Sequence, residues 1–244
     1  GLQLSDSLTF DDTSDFENRR EITHSAEKSM SSFTMRLKEG MKSGTIPVVK
    51  IMTNVVEGVP EDAIADYCKF NSPLLIVMGT RGHDKKEKDM IGSVTAEVLD
   101  SCRNIVLTVP DPADFTKVDD IKNILFLCTM DQEDILAVDA LARLMPESNA
   151  SVTLASLPSK KRRMTAKPEK ALLDYLTTNY PTMKFESAGV INDAVEFSHV
   201  HGMHRFDLII VPNKKKNIFS RFFNPGVAHK VLFQTDIPML VIPV

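Results

Sequence analysis

The chain reads Val77-Met78-Gly79-Thr80-Arg81-Gly82 and, nine residues later, Gly92-Ser93-Val94-Thr95. The first stretch ends an apolar run that begins at Leu74, which predicts a buried strand. Glycines at the end of a strand let backbone N–H groups approach an anion without a Cβ in the way. The second stretch opens a helical pattern, and a helix N-terminus attracts anions through its dipole and free N–H groups. This order of strand, glycines and helix predicts a loop that binds phosphate groups.

The spacing Gly79-x-x-Gly82-x9-Gly92-Ser93 is similar to the ATP-binding signature of the universal stress protein family, and residues 75–82, 92–99 and 105–110 agree with its flanks. The resemblance implies an α/β fold with a parallel sheet in the strand order 3-2-1-4-5. Some family members bind ATP and others do not, and most act as dimers in stress adaptation. For this chain the resemblance implies ATP, with Mg, bound at Gly79, Thr80, Arg81, Gly82, Gly92, Ser93, Val94 and Thr95.

Strands and helices alternate along the chain, which indicates parallel α/β architecture. The pattern restarts after Pro110-Asp111-Pro112, because two prolines disfavour both helix and sheet there. We therefore expect two tandem domains, residues 1–112 and 119–244, that resemble universal stress proteins (adenine nucleotide alpha hydrolase-like). Each has a parallel sheet flanked by helices, and the first sheet is incomplete.

The first domain begins late for this family pattern. A helix is predicted over 18–43 and a strand over 46–52, and by resemblance these are the family's second helix and third strand. Strand 1, helix 1 and strand 2 then have no counterpart, although they would supply the middle of the sheet and the contacts to adenine. Their loss would expose strand edges at 46–52 and 74–78. We expect the chain to be a fragment of a protein of about 280 residues.

The second domain carries a degenerate version of the loop. By alignment on the preceding strand, Pro212-Asn213-Lys214-Lys215 replaces Gly79 to Gly82, and Pro225-Gly226 replaces Gly92-Ser93. Proline lacks the N–H that a phosphate would need, and lysine lacks the conformational freedom of glycine. This half is not expected to bind ATP in the family's way.

Several polar clusters leave two interpretations open. In the insert 83–89, and at Arg81, basic side chains either neutralise a triphosphate or belong to a solvated loop. Ser93 and Thr95 either donate hydroxyls to phosphate or cap the helix. We interpret the histidines within residues 199–204 as a cluster at a helix end rather than as a metal site. We interpret the basic residues 160–163 as a solvated loop rather than as a binding site for an anionic partner.

Composition excludes several classes of protein. The net charge of −4 and the pI of about 5.9 do not indicate a nucleic-acid surface. No apolar run is long enough for a membrane helix, and no signal peptide opens the sequence. Three scattered cysteines, Cys68, Cys102 and Cys128, are expected to be reduced and buried in a cytoplasmic protein.

No catalytic constellation or Walker motif is present in the sequence, so we expect no enzyme, or at most a weak ATPase. The main functional hypothesis is a nucleotide-binding regulatory protein of the stress response. The alternative is an interaction or structural protein of the same fold without a nucleotide. We also expect an internal pseudo-dimer through Asn104–Val109 and Met239–Val244, with a homodimer as a further assembly.

Overall fold

The computed structural model describes residues 11–80, 92–110, 118–128, 133–156, 166–191, 196–197, 199–200, 202, 205–213 and 237–244. The chain divides into two compact units, residues 1–59 and residues 60–244. A long helix lies in the first unit, and the sheet lies in the second.

The first unit is built on helix α1 (Asp11–Ser43). The helix predicted over 18–43 is confirmed, and it begins earlier than predicted. Gly44 follows it with a φ of 75°, the left-handed conformation with which glycine commonly ends a helix. None of the described α1 side chains is fully buried, and its apolar residues Phe33 and Met35 are exposed. The apolar stripe of α1 is therefore left largely in contact with solvent.

The strand predicted over 46–52 is wrong, because residues 47–59 form neither helix nor strand. The N–H of Ile46 donates to the carbonyl of Gly40 at 3.0 Å, and the chain then continues without regular structure. A strand needs a neighbour to complete its ladder of hydrogen bonds. No strand among the described residues pairs with this segment.

The second unit alternates helices and strands. It contains α2 (Pro60–Asn71), β1 (Leu75–Gly79), α3 (Ser93–Ser101), β2 (Ile105–Val109), a 3-10 turn (Val118–Asp120), β3 (Asn123–Cys128), α4 (Glu133–Leu144), β4 (Ser151–Ser156), α5 (Ala166–Asn179), β5 (Lys184–Val190), β6 (Leu208–Asn213) and β7 (Met239–Pro243). Each strand predicted from Leu74 onward is confirmed. The helices predicted over 192–204 and 226–233 fall largely or wholly outside the described residues.

The seven strands form one sheet in the order β1-β2-β7-β6-β3-β4-β5. All neighbours are parallel except β2 and β7, which confirms an α/β fold with a mostly parallel sheet. The series β5-β4-β3-β6-β7 reproduces the order 3-2-1-4-5 that the resemblance implies for a whole domain. β1 and β2 stand where strands 4 and 5 of the other half would stand.

The two expected sheets are joined into one at the β2–β7 pair. Val106 lies opposite Val241 and Leu107 opposite Leu240 in an antiparallel register. The hydroxyl of Thr108 donates to the carbonyl of Met239 at 3.3 Å across this pair. The segments expected to make the internal contact, 104–109 and 239–244, therefore lie side by side.

The sheet separates two apolar cores. Along β3, Leu125 and Leu127 point into one core, and Ile124 and Phe126 point into the other, because side chains of a strand alternate between its faces. The first core includes the buried Cys68 of α2 and the buried face of α3. The second is covered by α4 and α5. Helices on both faces bury the central strands, as a parallel sheet requires.

β1 forms one edge of the sheet. Among the described residues its only strand partner is β2, and Val77 in its centre is 59% exposed. Tyr67 and Phe70 on α2, and Leu74 just before the strand, are exposed as well. The open edge expected at 74–78 is thus present in the part of the chain that the structure describes.

Candidate functional site

The candidate loop begins and ends at one point of the structure. β1 ends at Gly79, and the N–H of the buried Thr80 donates to the carbonyl of Val109 at 3.1 Å. The carbonyl of Thr80 in turn accepts the N–H of Gly92 at 2.7 Å. These two hydrogen bonds hold both ends of the loop at the carboxyl end of β1, where ligands of open α/β sheets commonly bind.

Gly92 is the N-cap residue of α3 and supplies no side-chain cap. Its carbonyl accepts the N–H of Ala96 at 3.0 Å, which is the first hydrogen bond of the helix. The N–H groups of Ser93, Val94 and Thr95 have no acceptor within the helix, because they belong to its first turn. They lie at the positive end of the helix dipole, so the arrangement suits an anion.

Glycine is not needed at position 92 for its backbone freedom. Its φ of −67° and ψ of 157° are extended values that any residue adopts. The missing Cβ instead leaves room at the mouth of the helix. The exposed Ser93 follows directly, so a hydroxyl group is available beside that space.

Thr95 has a structural hydrogen bond that the sequence did not reveal. The residue is buried, and its hydroxyl donates to the carbonyl of Gly79 at 3.0 Å. This bond ties the first turn of α3 to the end of β1. The side chain therefore positions the two parts of the loop, while the backbone N–H of Thr95 faces the same helix end as those of Ser93 and Val94.

Six of the eight predicted binding residues are described, and they come together at this point: Gly79, Thr80, Gly92, Ser93, Val94 and Thr95. Arg81 and Gly82 lie outside the described residues, as does the charged insert 83–89. Val94 is half-buried and contributes its backbone to the first helical turn.

The degenerate loop of the second half is described only as far as Asn213. Its side-chain amide donates to the carbonyl of Leu99 near the end of α3, at 3.2 Å. The Oδ1 atom of Asn213 is buried and has no hydrogen-bond partner. This contact between the end of β6 and α3 was not predicted from the sequence. Lys214, Lys215 and Gly226 lie outside the described residues.

Other candidate chemistry is sparse in the described ranges. They contain no cluster of three or more His, Cys, Asp or Glu side chains that could hold a metal ion. Of residues 199–204, the structure describes only 199, 200 and 202. Within the same ranges, no helix combines the length and the apolar character that crossing a membrane requires.

Two side chains away from the loop have strongly shifted pKa values. Burial, together with the charge and hydrogen bonding of Cys102, raises the pKa of the Cys68 thiol to about 11. Burial also raises the pKa of Tyr180, whose hydroxyl donates to Asp139 at 2.5 Å. The three cysteines are buried, as expected, and none is in a disulfide.

Comparisons with known proteins match the N-terminal part of the chain. Residues 8–110 match the family model of the universal stress protein family. A universal stress protein of Methanocaldococcus jannaschii is 39% identical over 64 residues, which are 26% of this chain and 38% of that relative. The aligned segment thus spans little more than a third of the relative's own length.

Solved structures match nearly the whole chain. A universal stress protein of Archaeoglobus fulgidus has a TM-score of 0.69 at 10% identity and covers 97% of this chain and 83% of its own. A functionally unknown protein of Pseudomonas aeruginosa PAO1 has a TM-score of 0.56 at 12% identity and covers 88% of this chain and 78% of its own. At such low identity these structures show the fold alone. Residues 8–110 are thus similar to the universal stress protein family, and the chain shares the fold of these solved structures.

Proposed function

We propose that the protein is a nucleotide-binding regulator of the stress response, with the phosphates of ATP at the Gly79–Gly82/Gly92-Ser93 loop. The observation that carries this proposal is the uncapped N-terminus of α3, held by Gly92 against Thr80 at the carboxyl end of β1. The match of residues 8–110 to the universal stress protein family supports it, because the predicted binding residues lie within this match and follow the family's signature.

Each described residue of the loop has a part in this proposal. The N–H groups of Ser93, Val94 and Thr95 would donate to phosphate oxygens, and the exposed hydroxyl of Ser93 would add a further donor. Gly79 and Gly92 would admit the phosphates because they carry no Cβ. Mg would be held through the phosphates and would supply charge neutralisation. The Thr95–Gly79 hydrogen bond keeps the donors in place.

The base would receive less support than the phosphates. The described residues of the loop offer backbone N–H groups and hydroxyls, which recognise phosphate rather than a base, and β1 has no second strand partner among the described residues. We therefore expect the phosphate groups to dominate recognition, so that ADP and ATP bind more tightly than adenosine.

We further infer a tandem arrangement in which one half binds nucleotide. The second half has the strand order of a complete domain, but Pro212 and Asn213 stand at the end of its β6 where the first half has Gly79 and Thr80. The proposed regulator would be a pseudo-dimer within one chain, with a homodimer as a further assembly.

A charge placed at the N-cap tests the proposal. A Gly92→Asp substitution adds a carboxylate that caps α3 and occupies the place of the phosphate. Isothermal titration should show ATP affinity reduced by at least about tenfold, with an equal or higher Tm. Thr182→Asp adds the same charge at an exposed turn and should bind ATP like the wild type.

The proposal fails if Gly92→Asp and Thr182→Asp bind ATP equally, or if the wild type gives no heat with ATP at millimolar concentration. A Gly82→Val variant serves as a second probe of the loop. The absence of binding would favour the other hypothesis, an interaction protein without nucleotide. The observation that favours an interaction protein is the open edge at β1, where Val77 and Leu74 are exposed and a partner strand can pair.

Hydrolysis is the least favoured activity. The described residues of the loop itself (79, 80 and 92–95) include no carboxylate or histidine that could act as a base for an attacking water. Steady release of phosphate that disappears in Gly92→Asp would establish a weak ATPase. Phosphate release that is equal in both proteins would point to a contaminating activity.

A further inference from the structure

The two edges of the sheet differ in how they are protected. β5 forms one edge and carries the exposed charged residues Lys184 and Glu186, and its pairing with β4 shifts in register between Leu154 and Ala155. Charges and irregular pairing of this kind hinder an edge strand from pairing with another molecule. β1 forms the other edge, and its residues Leu75–Gly79 include no charge, no proline and no register shift against β2. Among the described strands, β1 is therefore the edge that is open to a further strand.

The backbone of β1 presents a defined set of hydrogen-bonding groups at this edge. The N–H of Thr80 donates to the carbonyl of Val109 at 3.1 Å, so the backbone groups of Thr80 face β2. Successive residues of a strand direct their N–H and C=O groups to alternate sides. The backbone groups of Leu75, Val77 and Gly79 therefore face away from β2, where the described residues supply no strand. Such a row of groups is a template for another extended chain.

We propose that β1 pairs with β1 of a second copy of this chain, antiparallel and around a two-fold axis at Val77. Val77 is the middle residue of the strand, so this register overlaps the strand over its whole length. Val77 then exchanges hydrogen bonds with Val77 of the second copy, and Leu75 exchanges them with Gly79 of the second copy. These are the residues whose backbone groups face away from β2, as the hydrogen-bonded positions of an antiparallel pair require. The Gly79 carbonyl already accepts the Thr95 hydroxyl and has a second lone pair for this bond.

The side chains of β1 suit this pairing of the strand with itself. Leu75 lies opposite Gly79 of the second copy, which has no side chain to obstruct it. On the other face of the sheet, Ile76 lies opposite Met78 of the second copy and forms an apolar pair with it. The exposed Val77 meets its own copy at the axis, where two like charges would repel each other and two valines do not.

Helix α2 adds charge complementarity across the same axis. It packs on the face of β1 that carries Ile76, since Cys68 of α2 belongs to the core that Ile76 contacts. A two-fold axis perpendicular to the sheet places the α2 helices of both copies on that face, in antiparallel directions. The first turn of α2 is acidic at Glu61 and Asp62, and its last turn is basic at Lys69. The acidic end of each helix then lies toward the basic end of the other, which favours a second copy over an unrelated strand.

This interface goes beyond the proposed function, which assigns no surface to a homodimer. It uses the outer side of β1 and needs no nucleotide. Self-association and ATP titration are measured separately, so a failure of one is distinguishable from a failure of the other.

The wild-type chain tests the interface without any substitution. Sedimentation equilibrium between about 1 µM and 1 mM should show a dimer that forms with increasing concentration. In hydrogen exchange followed by mass spectrometry, the amides of residues 75–79 should exchange at least about tenfold more slowly in the dimer, and those of residues 184–190 should not change. A protein that stays monomeric throughout, or a dimer that protects residues 184–190 instead, overturns the proposal. Joint protection of residues 47–59 and 75–79 also overturns it, because β1 would then pair with that irregular segment of another copy.

Opposite charges at the axis test the register. Val77→Lys and Val77→Glu each place two like charges directly opposite each other, so each variant alone should raise the Kd of the dimer at least about tenfold. An equal mixture of the two variants should form a heterodimer with a Kd close to that of the wild type, because the lysine then faces the glutamate. Both variants should keep the circular dichroism spectrum of the wild type, because Val77 is exposed.

Leu136→Lys and Leu136→Glu are the matched control variants. Leu136 is an exposed apolar residue on α4, so these variants should dimerise like the wild type, alone and in mixture. Val77 variants that associate as tightly as the wild type overturn the β1 interface. A mixture that stays monomeric overturns the two-fold register at Val77, and assemblies larger than a dimer overturn its closure.

Discussion

Thr95 ties a helix to a strand through one hydroxyl group. It is buried, and its donation to the Gly79 carbonyl at 3.0 Å spans the base of the candidate loop. A Thr95→Val substitution keeps the shape but leaves that carbonyl without its donor. We expect the free energy of unfolding to fall by about 1–3 kcal/mol, measured by urea denaturation.

Thr178→Val is the matched control for this substitution. The hydroxyl of Thr178 donates to the carbonyl of Asp174 at 2.7 Å on the exposed face of α5. Its loss should change the free energy of unfolding by less than about 0.5 kcal/mol, because water replaces it. Equal losses in the two variants would contradict the structural role of Thr95.

Cys68 makes stability depend on pH in alkali. Burial, aided by Cys102, raises the pKa of its thiol from 9.0 to about 11. The folded state holds this proton more tightly than the unfolded state, so the resulting stability is present below pH 9 and is lost as the pH rises through 11. In a reducing buffer, Cys68→Ala should lose less stability than the wild type between these values. Urea unfolding at several pH values measures this difference. If the linkage is absent, the free energy of unfolding of Cys68→Ala and of the wild type will fall in parallel as the pH rises.

The sequence predicted the residues of the loop but not their contacts. The glycine spacing and the apolar run before it were sufficient to place Gly79 and Gly92 at the ends of a strand and a helix. The partners of Thr95 and Asn213 lie 16 and 114 residues away along the chain. Such hydrogen bonds depend on tertiary packing, which local patterns do not encode.

At the scale of single elements, β1 is an edge strand whose open side is available for pairing with another molecule. It carries no charge between Leu75 and Gly79, and charged residues are a common protection against strands pairing between molecules. Val77→Lys should therefore slow aggregation, which light scattering at increasing protein concentration would measure. The substitution should leave the Tm nearly unchanged, because Val77 is largely exposed.

Leu136→Lys controls for the added charge. Leu136 is an exposed apolar residue on α4, away from any strand edge. The Leu136→Lys variant should reduce aggregation less than Val77→Lys does. If both variants aggregate at the same rate, net charge rather than the β1 edge determines the behaviour.

The elements that sequence predicted best are those with neighbours inside the chain. The apolar segments that became β3 and β6 are continuous and fully buried, and both lie between two other strands. The segment 46–52 has similar β-branched residues, yet it forms no strand. β-branched residues alone therefore do not make a strand, and β3 and β6 differ from this segment in having pairing partners.

For the whole molecule, the division at residue 59 predicts that the second unit folds alone. The described side chains of residues 17–59 include none that is fully buried, whereas both apolar cores belong to residues 60–244. A chain of residues 60–244 should unfold cooperatively with a Tm within about 5 °C of the full chain. Circular dichroism would measure this, and a truncated chain without a cooperative transition would contradict it.

The antiparallel β2–β7 pair reverses the direction of the strands within one sheet. The carboxyl ends of β1 and β2 consequently lie at one end of the sheet, and those of β3 to β7 lie at the other. Gly79 and Asn213 mark these opposite ends, with the nine-residue α3 between them, a helix about 13 Å long. A nucleotide at the Gly79 loop would therefore lie at the opposite end of the sheet from Asn213, so a substitution of Asn213 should not change its binding through direct contact.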